Sequence, residues 1–243
     1  MITEPYSGAP VVFLDFDGTI SRRDAIDAIL ETFASEKWLE IEERWRSGQI
    51  GSRECLRKQM GLVRATADEL NELLDSVDVD DGFATLLETC ASYGVAAYIL
   101  SDGFDYCIRR ILSRPSLGLA RLLRDVRIFS SHLERSHGNW VVGFPYFEQI
   151  CAHGCATCKP ALMDMLNSSG ALRFFVGDGL SDKYAALNAD FVLAKNSLAV
   201  YCQDQGLAHL NYDSLAQVSE HLDAALRSNV SVPDDLIAPV GLY

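Results

Sequence analysis

Two carboxylates, Asp15 and Asp17, stand one residue apart directly behind a short apolar run, Val11-Val12-Phe13-Leu14. The run is partly β-branched and reads as a buried strand, which Asp17-Gly18 then breaks. Two like charges turned into one pocket need a cation, or a proton held on one of them. The pair therefore calls for a divalent metal, a nucleophile and an acid–base partner. Three more polar sets follow along the chain. Ser101-Asp102-Gly103 closes a strand from Val95 to Leu100. Lys159 opens a helix, with Pro160 in its first turn. Gly177-Asp178-Gly179-Leu180-Ser181-Asp182 closes a strand from Leu172 to Val176. Together they supply a nucleophile, a hydroxyl, an ammonium and two further carboxylates, the set that phosphoryl transfer requires.

The elements between these sets decide whether they meet. Helix is predicted from about Asp24 to Ser47, from Ser52 as an N-cap, and after Thr66, where Thr66 and Glu69 have capping-box spacing. The whole stretch from Ser21 to Asp81 reads as helical. Alternation then begins, with helix over Phe83 to Tyr93 and strand over Val95 to Leu100. Helix follows over Phe104 to Leu112 and strand over Val126 to Ser130. A hairpin is centred on His137-Gly138-Asn139, and helix runs from Lys159 to Leu166. Strand covers Leu172 to Val176, helix Ser181 to Leu187, strand Phe191 to Leu193, and a last helix Ser214 to Leu226. Such alternation predicts an α/β fold, a doubly wound parallel sheet, with the early helical block inserted as a small cap. The core is expected over residues 1–20 and 82–243 and the cap over 21–81. In a parallel sheet the carboxyl ends of the strands converge on one crevice.

Composition narrows the class. With 243 residues, 49% of them hydrophobic, the chain is long enough for a full core, and its net charge of −13 disfavours nucleic acid as a partner. No run approaches a membrane span, and Met1 to Pro10 lacks the features of a secretory leader. The seven cysteines are then expected to be reduced, in a cytoplasmic protein.

The ordered motifs Asp15-Phe16-Asp17-Gly18-Thr19, Ser101, Lys159 and Gly177 to Asp182 resemble those of the haloacid dehalogenase-like hydrolases. Their spacing, with the helical insert after the first motif, resembles the phosphoserine phosphatase subgroup. The resemblance implies a Rossmann-like core and a Mg²⁺-dependent phosphatase. Asp15 would attack phosphorus to form an aspartyl-phosphate. Asp17 would serve as general acid and base. Thr19 would support the loop, and Ser101, with the N–H groups of Asp102 and Gly103, would hold phosphate oxygens. Lys159 would neutralise the nucleophile and the phosphoryl group. Asp15, Asp178 and the Asp17 carbonyl would bind Mg²⁺, and Asp182 would orient a metal water or Lys159.

Asp24 lies where phosphoserine phosphatases carry a glutamate for the amino group, but their carboxylate-binding arginine falls on Gln59, and Gly18 is commonly serine there. Phe33-Ala34, Trp38 and the cysteine-rich approach to Lys159 are similar to the methionine-salvage phosphatases. Those act on 2-hydroxy-3-keto-5-methylthiopentenyl 1-phosphate. The expected partner is a small phosphate ester of this kind or phosphoserine, taken by a monomer or homodimer. A phosphotransferase or mutase, and a non-enzymatic phosphate-binding regulator, stay open as alternatives. Cys151, His153, Cys155 and Cys158 could hold a structural zinc, but a reduced, packed loop is the favoured expectation. Cys55, Cys90, Cys107 and Cys202 are expected in the core, as are Phe33, Trp38 and Trp45 in the cap. His132 and His137 are expected to face solvent. Asp75, Asp78, Asp80 and Asp81 are expected to solvate the cap-to-core linker.

Overall fold

β1 (Val11–Leu14) is buried along its whole length, and its side chains alternate between two cores. Val12 and Leu14 enter one apolar cluster, while Val11 and Phe13 enter another. A strand alternates its side chains between faces, so a strand that is apolar on both faces needs a helical layer on each. The computed structural model describes residues 9–148, 151, 153–167 and 170–227. Within it, β1 is followed by four helices, α1 (Ala25–Phe33), α2 (Lys37–Arg46), α3 (Ser52–Met60) and α4 (Ala67–Asp75). Then come α5 (Phe83–Ser92), β2 (Ala96–Phe104), α6 (Asp105–Leu112), β3 (Arg127–Ser136) and β4 (Asn139–Gly143). The chain continues with α7 (Lys159–Leu166), β5 (Arg173–Gly177), α8 (Lys183–Ala186) and β6 (Phe191–Ala194). The last elements of the described residues are α9 (Asn196–Gln205), β7 (Leu210–Asn211) and α10 (Leu215–Arg227). The seven-stranded sheet has the order β4-β3-β2-β1-β5-β6-β7. Every pairing is parallel except the β3–β4 hairpin. The doubly wound α/β reading is correct. α9 and β7 were not foreseen.

β1 lies between β2 and β5, so its end is flanked by theirs. Leu14 pairs with Ile99 on one side and Val176 on the other, and the Asp15 N–H donates to the Val176 carbonyl at 2.9 Å. β2 runs past the expected strand end. Ser101-Asp102-Gly103 belongs to the strand rather than to a turn after it. The step from Leu100 to Phe104 on β2 faces only the step from Phe129 to Ser131 on β3, so β2 carries two extra residues there. A bulge of this kind re-aims side chains.

The block between β1 and α5 is helical, with corrections. Ala34 is extended, so the helix expected from Asp24 to Ser47 is two helices, α1 and α2. Ser52 lies inside α3, whose cap is Gly51. The two ends of the block are not helix. They cross side by side, with Ser21 bridged to Val79 and with Arg22 N–H to Asp78 and Asp80 N–H to Ile20 bonds of 2.8 Å each. Asp80 is therefore no solvating residue. It is 6% exposed, and its carboxylate accepts from Gly82 N–H at 2.9 Å and Leu215 N–H at 3.2 Å. The block packs on the hairpin and α6 through Trp140 Nε1 to the Ala65 carbonyl, 3.0 Å, and the Tyr106 hydroxyl to Asn71, 2.8 Å. Phe33 and Trp38 pack against the core, as expected, and Cys55, Cys90, Cys107 and Cys202 are buried. His132 and His137 are exposed, as expected, with His132 Nδ1 2.8 Å from Asp105.

The α4 capping box is formed, with the Thr66 hydroxyl accepting from Glu69 N–H and the Glu69 carboxylate accepting from Thr66 N–H. Behind it Leu70 and Leu74 are fully buried. Thr66→Ala is expected to cost about 1 kcal/mol, and Leu70→Ala roughly 2–5 kcal/mol. Thermal unfolding should rank the two variants in that order. Equal losses would mean that burial of Leu70 contributes no more to this helix than its cap.

Candidate active site

The four polar sets meet. Lys159, 2% exposed and in the first turn of α7, donates from Nζ to Asp15 Oδ1 at 2.6 Å and to Asp182 Oδ1. Asp182 is fully buried, and its other oxygen accepts from the N–H groups of Asp178 at 3.0 Å and Gly179 at 3.2 Å. Both Asp182 oxygens are thus engaged. One fixes the lysine and the other folds the turn after β5. Carboxylate oxygens of Asp15, Asp178 and Asp182 lie within 4.8 Å of one another, the one group of metal-ligating side chains this close among the described residues.

Asp17 is held separately. Its Oδ1 accepts from Ala25 N–H, at the start of α1, at 2.9 Å, and its Oδ2 accepts from the Ser101 hydroxyl at 3.3 Å. Ser101 Oγ in turn accepts from Gly103 N–H at 2.8 Å. The Ser101 hydroxyl, expected to hold a phosphate oxygen, here holds Asp17. The bulge brings Gly103 so close that an added Cβ would sit 2.3 Å from Asp17 Oδ2, so glycine is required there. Gly18 has φ +76° and the same problem, its Cβ falling 2.4 Å from Asp178 Oδ2. The Asp102 carboxylate accepts from Thr157 N–H at 2.8 Å and so holds the segment that leads to Lys159. The Thr19 hydroxyl donates to Asp178 at 3.2 Å.

Three partners were not read from the sequence. Asn196 donates to Asp178 Oδ2 at 3.2 Å, and Lys195 and Asn196 line the cavity at the end of β6. The Tyr212 hydroxyl, buried after β7, lies 3.4 Å from Thr19 Oγ1 and 3.3 Å from the Gly177 carbonyl. The only available signal was position, since both sets follow strands on the carboxyl-end side of the sheet. Trp45 is also corrected. It lines the cavity rather than the cap core, with Nε1 donating to Ser52 at 3.1 Å.

Charge in this site does not balance. Burial raises Asp15 well above the ordinary carboxylate range, with Asp182 adding to the effect and Lys159 opposing it. Asp17 is pushed up to about 6, first by burial. Asp178 is raised by burial and by Asp182. Burial alone would lower Lys159, but the charges of Asp15, Asp182 and Asp102 outweigh it and hold the ammonium protonated. Burial lowers Lys195. One buried ammonium therefore falls short of keeping these carboxylates ionised, and an oxygen-liganded divalent cation fits the deficit. Asp15 and Asp178 are the carboxylates available to it, because Asp182 is committed to Lys159 and the turn.

The cysteine set does not close into one site with His153, although Cys151 interacts with both Cys155 and Cys158. Cys151 and Cys155 lie 3.6 Å apart, but His153 stacks on Tyr184 with ring centroids 3.8 Å apart. Among the described residues the four do not form a metal-sized cluster. The site opens into a cavity of about 820 Å³ walled by α1, α2 and α3, with Asp24, Asp27, Glu42 and Gln59 in that wall. Asp24 caps α1, accepting from Ile26 N–H at 2.8 Å and Asp27 N–H at 3.0 Å.

Known proteins match this arrangement. A family model described as haloacid dehalogenase-like hydrolase matches residues 12–186. A 2-hydroxy-3-keto-5-methylthiopentenyl-1-phosphate phosphatase of Geobacillus thermodenitrificans is 29% identical over 215 residues, covering 87% of this chain and 94% of that protein. Its counterpart in Bacillus velezensis is 26% identical over 217 residues, covering 88% and 90%. A phosphoserine phosphatase solved as a phospho-aspartyl intermediate analogue shares the fold with a TM-score of 0.67 at 17% identity, covering 88% of this chain and 99% of that one.

The charge imbalance gives a prediction for metal-free protein. A carboxyl whose folded pKa lies above its unfolded value binds a proton that the unfolded chain has released. Stability then falls as pH rises through that window, for Asp17 from 3.8 to about 6. Lys159→Met removes the counter-ion and should cost roughly 3–5 kcal/mol near neutral pH. The loss should shrink on acidification, as Asp15, whose pKa burial raises, takes up a proton. Calorimetric melting at several pH values tests this, and a loss independent of pH would refute it.

Proposed function

The chain belongs to the haloacid dehalogenase-like hydrolase family and is a phosphomonoesterase, and on that premise we propose that it hydrolyses a small-molecule phosphate monoester through an acyl phosphate on Asp15. The observation that carries this reading is the buried Lys159, shared between Asp15 and Asp182 at the floor of the cavity. Lys159 holds Asp15 Oδ1, which leaves Oδ2 as the attacking oxygen. The same ammonium offsets charge gathering on the phosphoryl oxygens. Asp17, near 6, is matched to proton transfer close to neutrality. It donates to the leaving alcohol oxygen in the first step. In the second it takes a proton from the water that attacks the acyl phosphate. Ser101 and Ala25 N–H fix its two oxygens for both steps. Asp15, Asp178 and the Asp17 carbonyl would hold Mg²⁺, which when bound neutralises the transferred group. Thr19 and Asn196 orient Asp178 for that role.

The substrate proposed is 2-hydroxy-3-keto-5-methylthiopentenyl 1-phosphate or a related metabolite, in keeping with the names of the relatives. The α3 side of the cavity also speaks against phosphoserine. Gln59 is neutral, Arg57 lies over the Phe144 ring at 5.1 Å, Arg53 over Phe147 at 4.3 Å, and Lys58 pairs with Glu54 at 2.6 Å. None of these three α3 cations lines the cavity, whose own cations, Arg22, Arg46 and Lys195, lie outside α3. No helix among the described residues is long and apolar enough to cross a membrane. The reading is of a cytoplasmic metabolic enzyme, monomer or homodimer.

Phosphate release over a metabolite panel, with and without chelator, tests the proposal. Asp15→Asn should lower turnover at least about a thousandfold, and chelation should abolish it until Mg²⁺ is restored. Retained activity in Asp15→Asn would defeat the mechanism. Turnover of phosphoserine alone would defeat the substrate assignment and leave the mechanism standing.

A further inference from the structure

A second cavity, of about 320 Å³, lies in the seam between the helical block and the core. One wall is the segment from Trp45 to Ser52. The other is formed by His153 to Cys155 and Leu180 to Tyr184. It lacks the carboxylates that line the catalytic cavity. Eight of the residues lining the catalytic cavity are Asp or Glu. None of those lining the seam is, although the chain carries 34 acidic residues against 21 Lys and Arg. The seam instead presents Arg46, Lys183 and His153. Lys183 forms no ion pair among the described residues and lies over the Tyr184 ring, 4.9 Å from its centroid, where His153 also stacks. Arg46 uses its Nε on Glu42, 3.0 Å away, on the side of the catalytic cavity.

The seam is built rather than accidental. Arg53 N–H donates to the Gly154 carbonyl at 3.1 Å, and Gly51 meets the same strip so closely that a Cβ would fall 2.5 Å from that oxygen. The two cavities share Trp45, Arg46, Ser52, Leu180 and Ser181 as a common wall. A group held in the seam would touch the block that closes the catalytic cavity and the turn that carries Asp178 and Asp182.

We propose that this seam is a binding site for an anionic group, a phosphate or carboxylate, held by Lys183 with Arg46 and His153. In a chain so acidic, a cation-lined cavity free of carboxylates is where an anion finds a favourable potential. Two sources share that chemistry. It is either the far end of an ester with a second anionic group, or a free anion such as inorganic phosphate. The site stands apart from the phosphatase reading, and only the first source rests on it.

Inorganic phosphate is titrated calorimetrically into the full chain in Mg²⁺ buffer. Expected is a binding event that weakens about tenfold in Lys183→Ala, the loss of one charge-assisted contact. It should be kept in Lys183→Arg and lost again in Gln49→Glu, which puts a carboxylate into the seam. No binding event sensitive to both Lys183→Ala and Gln49→Glu overturns the proposal. Kinetics then separates the sources. A kcat/KM advantage of a bisphosphate over its monophosphate, lost through KM in Lys183→Ala, assigns the site to the far end of the substrate. A non-competitive effect of inorganic phosphate on a monoester, lost in the same variant, assigns it to a free anion. A chain that hydrolyses no ester yet binds phosphate through Lys183 would sink the phosphatase reading and support the subsite.

Discussion

A single ammonium organises this molecule. Lys159 is buried between Asp15 at the end of β1 and Asp182 after β5. A charge so deeply buried is strongly unfavourable alone and persists only with partners of opposite sign. The fold supplies two, from neighbouring parallel strands whose ends are forced together by the β1–β5 register. Asp182 then does a second job, accepting two backbone N–H groups that shape the turn and so set Asp178 beside Asp15. The lysine, the turn and the second carboxylate are one unit. Asp102 extends it, since its bond to Thr157 N–H holds the segment from which Lys159 departs.

The same constraint explains why the two opening carboxylates behave differently. Asp15 is buried and Asp17 partly so, but only Asp15 meets the lysine. Asp17 meets a peptide N–H and a hydroxyl, neutral donors that lower its pKa less than burial raises it. Asp15 waits on further positive charge, whereas Asp17 is poised to exchange protons near neutrality. One residue of separation on the chain places them in electrostatically distinct surroundings. The bulge in β2 is part of this division, because it turns Ser101 toward Asp17 and needs glycine at 103 to do so.

The core was legible because its signals are redundant. The alternation of apolar strands and periodic helices fixed the class, and two of the four polar sets, at Asp15 to Asp17 and Gly177 to Asp182, marked strand ends. What escaped was set by tertiary pairing. Ser101 to Gly103 has turn composition, yet it lies in β2 because β3 offers it a partner and a bulge absorbs the surplus. Asp80 looks like a solvating acid among other acids, yet it is buried because two backbone N–H groups from distant segments need an acceptor there. Lys195, Asn196 and Tyr212 follow short strands with no distinctive pattern, so nothing local marked them as neighbours of Asp178 or Thr19. Trp45 has the periodicity of a buried helix face, and periodicity does not tell a core from the wall of a cavity.

The helical block walls the catalytic cavity, and it is also bonded directly to Asp17. Asp17 Oδ1 accepts from Ala25 N–H, the first residue of α1, and α1 begins there because Asp24 caps it. The free N–H groups of a helix start favour a carboxylate, so this contact lowers the pKa of Asp17 against the effect of burial. Shifting the block away from the core would stretch that bond and drive Asp17 further toward its protonated form. In the proposed mechanism a protonated Asp17 could not take a proton from the attacking water, while the seam cavity would lose one wall. Position of the block and ionisation of Asp17 are therefore linked through one peptide group, and whatever seats the block also sets the acid.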